Sequence, residues 1–175
     1  EKYLNIILSE TDRLTNLTSN LLELNSFNGD NVLLDIITFN ICETIVQTVN
    51  TLEGTAAKKE ISFVLDYNTQ KELLVEADES KIHQVLYNLI DNAVKFSHNN
   101  SEIKISLRKK GAKVFVSVKD SGIGIPKESL NKVFDRFYKT DISRGKDKRG
   151  TGLGLSISKE IIQAHNQTIN VVSTV

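Results

Sequence analysis

Apolar side chains recur at spacings of three and four residues at the start of the chain. This spacing is that of one helix face, so residues 1–27 are predicted to form a single amphipathic helix. The stripe is close to a heptad repeat and is typical of a helix that packs against a partner helix; the alternative is that it packs on its own domain. Its two rows are Ile7, Leu14 and Leu21, and Leu17 and Leu24.

After a polar break around Gly29, helical and strand-like patterns alternate. Alternation of apolar and polar residues predicts strands at 32–39, 61–67, 73–75, 103–107, 114–118 and 168–172. The helical period predicts helices at 40–58, 78–96, 127–138 and 153–164, with Asp78 as a helix cap. Lys110 and Gly111 indicate a hairpin. The order predicts an α/β (α+β) fold, a two-layer sandwich of a mixed, mostly antiparallel sheet against three helices.

Composition narrows the possible function classes. Hydrophobic residues make up 39% and charged residues 25% of the 175 residues, which is typical of a soluble globular protein. Since 22 basic and 22 acidic residues balance, we expect no nucleic-acid partner. Apolar runs are short, so we expect no membrane insertion. A single Cys42 excludes an internal disulfide and suits a reducing compartment. The chain starts at Glu1 and contains no Met, so we expect a piece of a longer protein.

The predicted helix at 78–96 carries the first candidate chemistry. At 100° per residue, Asn88, Asn92 and Lys95 fall within about 60° of one another, opposite the apolar residues. Amide oxygens can ligate Mg²⁺, and a lysine can contact phosphate as a point charge. By itself, such a stripe is more often a solvated surface.

Two glycine-containing segments supply the second and third candidates. Residues 120–126 follow a strand; the glycines allow close approach of a ligand, and Asp120 could accept a hydrogen bond from the amine of adenine. Residues 149–155 lead directly into a helix, whose free amides favour phosphate. The segment is not a Walker A loop, because Thr151 and Gly152 stand where Lys and Ser or Thr belong. No protein-kinase HRD or DFG triplet is present.

In this order the segments resemble the catalytic, ATP-binding domain of sensor histidine kinases, with the fold shared by gyrase, the Hsp90 chaperones and the mismatch-repair ATPases. Residues 88–97 match the N box, 120–126 the G1 box, 134–138 the F box and 150–154 the G2 box. Residues 139–149 then correspond to the mobile ATP lid. The first helix resembles the second helix of the dimerisation and phosphoacceptor hairpin. The implied domains are 1–28 and 32–175, the second without its last strand.

The resemblance implies ATP and Mg²⁺ as cofactors. It makes Asn92 the Mg²⁺ ligand, with Asn88 as a second ligand or phosphate contact. It assigns phosphate to Lys95 and adenine to Asp120, and it places Lys139 and Arg144 at the lid, near the γ-phosphate. The remaining implied nucleotide contacts are Gly122, Gly124, Gly150, Thr151, Gly152, Leu153 and Gly154. The F-box aromatics are expected to anchor the lid.

The implied activity is transfer of the γ-phosphoryl group of ATP to a histidine and then to an aspartate of a response regulator. The implied setting is a homodimeric full-length protein, with this chain in the cytoplasmic portion of a membrane sensor. None of His83, His98 and His165 has the setting of an acceptor, so we expect the acceptor outside this chain. The family usually has His-Gly-Gly where this chain has His165, Asn166 and Gln167. Asn tolerates the left-handed conformation of such a cap.

Three alternatives stay open. Gyrase- and chaperone-type ATPases carry a Glu one turn before the Mg²⁺-binding Asn, as general base for water; here that position is Asn88, which cannot take up a proton. A serine kinase of the same fold is disfavoured by the leading helix. A nucleotide-binding regulator without catalysis is disfavoured because the boxes are intact.

Overall fold

The computed structural model describes residues 2–27, 33–67, 72–140 and 150–174. Over these residues it contains four α-helices, five β-strands and one short 3-10 turn at Lys127–Ser129. The helices are α1 (Lys2–Ser26), α2 (Ile41–Ala57), α3 (Glu79–Phe96) and α4 (Gly154–Ala164). The strands are β1 (Ile36–Asn40), β2 (Ser62–Tyr67), β3 (Leu74–Asp78), β4 (Glu102–Lys110) and β5 (Lys113–Lys119).

The described strands form two sheets. β1 and β3 pair antiparallel, with Ile36 opposite Asp78. The second sheet has the order β2-β4-β5, in which β2 is parallel to β4 and β4 is antiparallel to β5. The predicted hairpin is confirmed, and Gly111 takes the left-handed conformation with φ +63°. The predicted mixed, mostly antiparallel α/β architecture is confirmed, with its strands divided between two sheets.

The main core lies between the three-stranded sheet and the helices α2 and α3. Ile45 of α2 and Ile90 of α3 are fully buried, as are Ile103 and Ile105 of β4. Removing these branched side chains from water is the dominant favourable contribution to folding. Cys42 lies in the same core, and its burial raises the pKa of the thiol.

A second core joins α1 to α4. Leu24 is buried among residues of α3 and α4, and Leu17 packs against the same cluster; its other buried members are Val85, Leu153, Ile157 and Ile161. The other row of the α1 stripe stays in solvent, with Ile7 62% and Leu14 61% exposed. One row therefore packs on its own domain, and the other remains available to a partner.

Local sequence signals fix the start of α3. The Asp78 carboxylate accepts hydrogen bonds from the Lys81 N–H at 3.1 Å, the Ser80 hydroxyl at 2.9 Å and the Asp35 N–H at 3.2 Å. Burial of the carboxyl opposes its ionisation, but these hydrogen bonds outweigh burial and hold the pKa of Asp78 below its usual value. The predicted cap is therefore confirmed.

The residue at the end of α4, His165, contacts the backbone of Asp78 at the start of α3. The Asp78 N–H donates to His165 Nε2 at 3.0 Å, and His165 Nδ1 lies 2.8 Å from the Ile161 carbonyl oxygen. Asn166 follows with φ +55°, which confirms that asparagine adopts the left-handed cap.

The prediction of a helix at 127–138 is wrong, since the structure has a 3-10 turn at Lys127–Ser129 followed by further turns. After the 3-10 turn, the backbone runs through successive tight turns, with Lys132 N–H donating to the Ser129 carbonyl and Asp135 N–H to the Lys132 carbonyl. These bonds span three residues rather than the four of an α-helix. Phe137, at φ +63°, cannot continue a right-handed helix.

The strand predicted at 168–172 is also wrong, although its alternation is real. Ile169 and Val171 are half-buried while Asn170 and Val172 are exposed, but the segment pairs with no strand among the described residues. Alternation selects which side chains are buried, whereas a strand also needs a neighbour for its backbone hydrogen bonds. The first strand begins at Ile36 rather than at 32, which lies outside the described residues.

Candidate functional site

The predicted site residues lie along one cleft of about 2070 Å³. The polar face of α3, the segment after β5 and the segment before α4 all contribute to its walls. Since ligand pockets usually measure about 300–1,000 Å³, the site is one part of a longer cleft. The predicted residues that line it are Asn88, Asn92, Lys95, Asp120, Gly122, Gly124, Lys139, Gly150, Thr151, Gly152 and Gly154.

Of the predicted residues, Leu153 does not line the cleft and Arg144 is not described by the structure. Leu153 is fully buried in the second core, so its side chain supports the fold rather than the cleft wall. Arg144 and the rest of 141–149, the greater part of the predicted lid, lie outside the described residues. Phe134, expected only to anchor the lid, also lines the cleft.

Asn88 joins α3 to the start of α4. Its amide nitrogen donates to the Gly154 carbonyl at 3.1 Å and to the Ser158 hydroxyl at 3.3 Å. Both donors of the amide are thus used, which leaves its oxygen to accept a hydrogen bond or ligate a cation. Asn88 therefore holds the glycine segment against the polar face of α3.

Lys95 is held by a carboxylate that the sequence reasoning missed. Its Nζ lies 2.6 Å from Asp91 Oδ2, and both side chains line the cleft. The spacing of four residues on one helix was a signal that could have identified this pair.

The segment after β5 is packed closely on the end of α3. Asp120 Oδ1 accepts a hydrogen bond from the Gly122 N–H at 2.9 Å. A Cβ at Gly122 would lie 2.6 Å from the Phe96 carbonyl oxygen, so this position requires glycine. The Ile123 N–H donates to the same oxygen at 3.3 Å. These contacts fix the Asp120 carboxylate relative to α3.

The two borders of the predicted lid touch each other. The Phe137 N–H donates to the Gly152 carbonyl at 3.0 Å. Gly152 has φ +73°, and a Cβ there would lie 2.9 Å from the carbonyl carbon of Phe137. The Tyr138 hydroxyl bonds Ser129 Oγ at 2.9 Å. The F-box and G2-box segments are therefore joined through their backbones.

A second residue missed from the sequence is Lys59. Its Nζ donates to the carbonyl oxygens of Val94 at 2.8 Å and Lys95 at 2.6 Å, at the C-terminal end of α3. A cation is favourable there because the last carbonyls of a helix are unpaired and carry partial negative charge. Lys59 is 35 residues from Val94 in sequence, so no local pattern could predict the contact.

The donor set of the cleft fits one class of cation. The described residues contain no group of three His, Cys, Asp or Glu side chains that could hold a metal alone. Asn88 and Asn92 offer amide oxygens on one helix face. Mg²⁺ accepts such ligands, keeps several waters and shares its coordination with substrate phosphates. The residues present therefore fit Mg²⁺ carried by a nucleotide.

Comparison with known families identifies the family to which this chain belongs. Residues 77–175 match the model of the histidine kinase-, DNA gyrase B- and HSP90-like ATPases. The chain belongs to this family. It is 36% identical over 170 residues to the sensor histidine kinase WalK of Bacillus subtilis (strain 168), covering 96% of the chain and 28% of that protein. It is also 36% identical over 172 residues to the sensor protein kinase WalK of Staphylococcus aureus, covering 96% of the chain and 40% of that protein.

Solved structures give the same family. The catalytic domain of histidine kinase ThkA is 37% identical, with a TM-score of 0.66 over 75% of this chain and 82% of that chain. ThkA in complex with the response regulator TrrA is 34% identical, with a TM-score of 0.74 over 95% of this chain and 45% of that chain. The resemblance to histidine-kinase ATP-binding domains is thus confirmed, and the chain spans less than half the length of these curated relatives.

None of the described helices is long and apolar enough to cross a bilayer.

Proposed function

We propose that this chain binds Mg-ATP in the cleft and transfers the γ-phosphoryl group to a histidine outside these 175 residues. The phosphoryl group then passes to an aspartate of a response regulator, in two-component signalling. One observation carries the proposal: the polar face of α3, the segment after β5 and the segment before α4 converge on one cleft. The relation to WalK and ThkA supports the reaction.

Each side of the cleft has a role in this proposal. The Asp120 carboxylate, fixed through Gly122, accepts a hydrogen bond from the adenine amine. Asn92 and the free oxygen of Asn88 hold Mg²⁺, which when bound neutralises part of the phosphate charge. Lys95 contacts phosphate, as does the backbone of 150–154, where Gly152 and Gly154 line the cleft. Gly124 gives the adenine side close backbone approach at φ +70°.

Two further predicted cations, Lys139 and Arg144, are assigned to the lid. Lys139 lines the cleft, and Arg144 follows in the lid sequence. We assign both to the γ-phosphate, whose charge they offset during transfer.

Asn88 favours phosphoryl transfer over hydrolysis. An amide cannot serve as a general base, and here its nitrogen is occupied by Gly154 and Ser158. Water needs such a base at neutral pH, whereas a neutral imidazole, with a free pKa of about 6.5, is already a nucleophile. This supports a kinase rather than a gyrase- or chaperone-type ATPase. The leading helix disfavours a serine kinase, and the intact cleft disfavours a regulator without catalysis.

Two observations support the proposed assembly. The exposed row of α1, with Ile7 and Leu14, supports packing against helices of a homodimer in the full-length protein. The ThkA–TrrA complex supports a response regulator as partner. We assign this chain to the cytoplasmic portion of a sensor protein, which its relation to sensor histidine kinases supports.

Calorimetric titration tests the nucleotide assignment. With Mg²⁺ present, the chain should bind ATP more tightly than GTP, and Asp120→Asn should reduce this preference because it weakens the acceptor for the adenine amine. Asn92→Ala should weaken Mg-ATP binding by about tenfold or more, since it removes a direct ligand. Asn131→Ala is the control, because Asn131 is exposed and does not line the cleft. Equal wild-type affinity for the two nucleotides would contradict the role of Asp120.

A further inference from the structure

Asp91 adds a negative charge to the face of α3 that borders the cleft. Its side chain lines the cleft beside Asn88 and Asn92, and only 20% of the side chain is exposed. On a helix, Asp91 lies about 60° from Asn88 and about 40° from Lys95 around the axis. The metal and phosphate contacts proposed above use the amides and the amine, and they leave this carboxylate without a role.

The Asp91 carboxylate forms an ion pair with the Lys95 amine, which is the group that a phosphate has to contact. Asp91 Oδ2 lies 2.6 Å from Lys95 Nζ. Ion pairs between side chains four residues apart on a helix contribute little to stability, so the pair matters little for the stability of α3. Within the cleft it has a larger consequence. A bound phosphate oxygen has to compete with Asp91 for Lys95.

This competition depends on the charge of the ligand. ATP without metal carries about four negative charges, and bound Mg²⁺ reduces the total to about two. Side chains three or four residues apart on a helix have Cβ atoms about 5–6 Å apart, which is within the Debye length of about 8 Å at physiological salt. Asp91 therefore repels metal-free ATP more strongly than it repels Mg-ATP.

We propose that Asp91 makes nucleotide binding selective for the magnesium complex. Paired with Lys95, it disfavours phosphates that arrive without a divalent cation and tolerates those that arrive with one. Asp91 is therefore a positioning residue for Lys95, and it determines which ligand charge the site prefers. The inference rests on the proposed function, because it assumes that phosphates bind beside Lys95.

The test compares the dissociation constants of the 175-residue chain for ATP in EDTA and for ATP with Mg²⁺, in wild type and in Asp91→Asn. The variant keeps the shape of the side chain and removes its charge. Metal-free ATP should bind about tenfold more tightly to the variant, whereas Mg-ATP should change by less than about threefold. The ratio of the two constants should therefore fall. An unchanged ratio would overturn the proposal.

Glu79→Gln is the matched charge control, since it removes a carboxylate from the same helix about 18 Å along the axis. Glu79→Gln should leave the ratio of the two dissociation constants as in wild type. A fall equal to that in Asp91→Asn would overturn the proposal, because the loss of any carboxylate from α3 would then have the same effect. Adenosine has no phosphate and should bind wild type and Asp91→Asn equally; a change as large as that for ATP would overturn the proposal, because the pocket itself would then have altered.

If wild type bound no Mg-ATP, the proposed function would fail. If it bound Mg-ATP but the ratio did not respond, only the role of Asp91 would fail.

Discussion

Single contacts set the geometry of the cleft at the residue scale. Asn88 uses both amide donors to hold α4, Gly122 allows the backbone to approach Phe96, and Asp91 holds Lys95. Each of these residues acts through a short polar contact or a close approach rather than through buried apolar area. The change in the free energy of unfolding caused by a substitution should therefore depend on which of these contacts it breaks.

Two glycines should respond to alanine in opposite directions. At Gly122 a Cβ would lie 2.6 Å from the Phe96 carbonyl oxygen, so Gly122→Ala should lower the free energy of unfolding by about 1–3 kcal/mol and displace Asp120. At Gly54, inside α2, such a Cβ would meet no heavy atom of the described residues within 4 Å apart from its chain neighbours and its own helix backbone. Gly54→Ala should raise the free energy of unfolding by about 0.5–1 kcal/mol, because alanine is the better helix former.

Urea denaturation measures both effects. Similar changes in both variants would show that the close approach at Gly122 is not the deciding contact.

At the scale of the element, α3 is the organising helix of the molecule. Its buried face joins both cores, its polar face lines the cleft, and its end contacts Lys59 and the segment after β5. Its start depends on Asp78, whose carboxylate caps the helix and whose backbone N–H is held by His165. The stability of this helix should consequently depend on pH.

Asp78→Ala should lower the free energy of unfolding by about 1–2 kcal/mol at pH 7. The folded-state pKa of Asp78 is lowered, so its contribution is fully present above the unfolded pKa of about 3.9 and is lost as the pH falls through the folded value. The difference between wild type and variant should thus shrink below about pH 4. Denaturation at several pH values measures this, with exposed Asp135→Ala as control. A difference that stayed constant down to pH 2 would rule out an ionised cap.

The sequence predicted α3 almost to the residue because the signals were local. Asp78 is a capping residue, and the apolar period continues to Phe96. The turns at 130–138 could not be predicted in the same way, because they depend on contacts between distant residues, such as Phe137 with Gly152. The alternation at 168–172 predicted which side chains are half-buried, but strand pairing depends on a neighbour that the pattern does not contain.

The site shows the same division. The amides and Lys95 were predicted because they share one helix face, and Asp91 could have been found from its spacing to Lys95. Lys59 could not, since only the packing of α2 on α3 brings it to Val94 and Lys95.

At the scale of the whole molecule, two cores connect the parts of the structure that the proposed reaction needs. One core supports α3 against the three-stranded sheet, and the other joins α1 to α4 next to the glycine segment. The second core gives a physical connection between the first helix and the side of the cleft to which we assign the phosphates. The row of α1 that includes Ile7 and Leu14 is exposed, as the proposed packing against a partner helix requires.

The activity proposed for this domain is phosphorylation of a histidine that lies outside its own 175 residues. The most direct measurement incubates γ-labelled ATP and Mg²⁺ with two polypeptides, this chain alone and a longer one extended upstream through the proposed acceptor helix. The longer polypeptide should acquire acid-labile, base-stable phosphate on a histidine of that helix, and Asn92→Ala should reduce the rate at least tenfold. The chain alone should acquire none. Label on His83, His98 or His165, or release of inorganic phosphate without any phosphohistidine, would contradict the account.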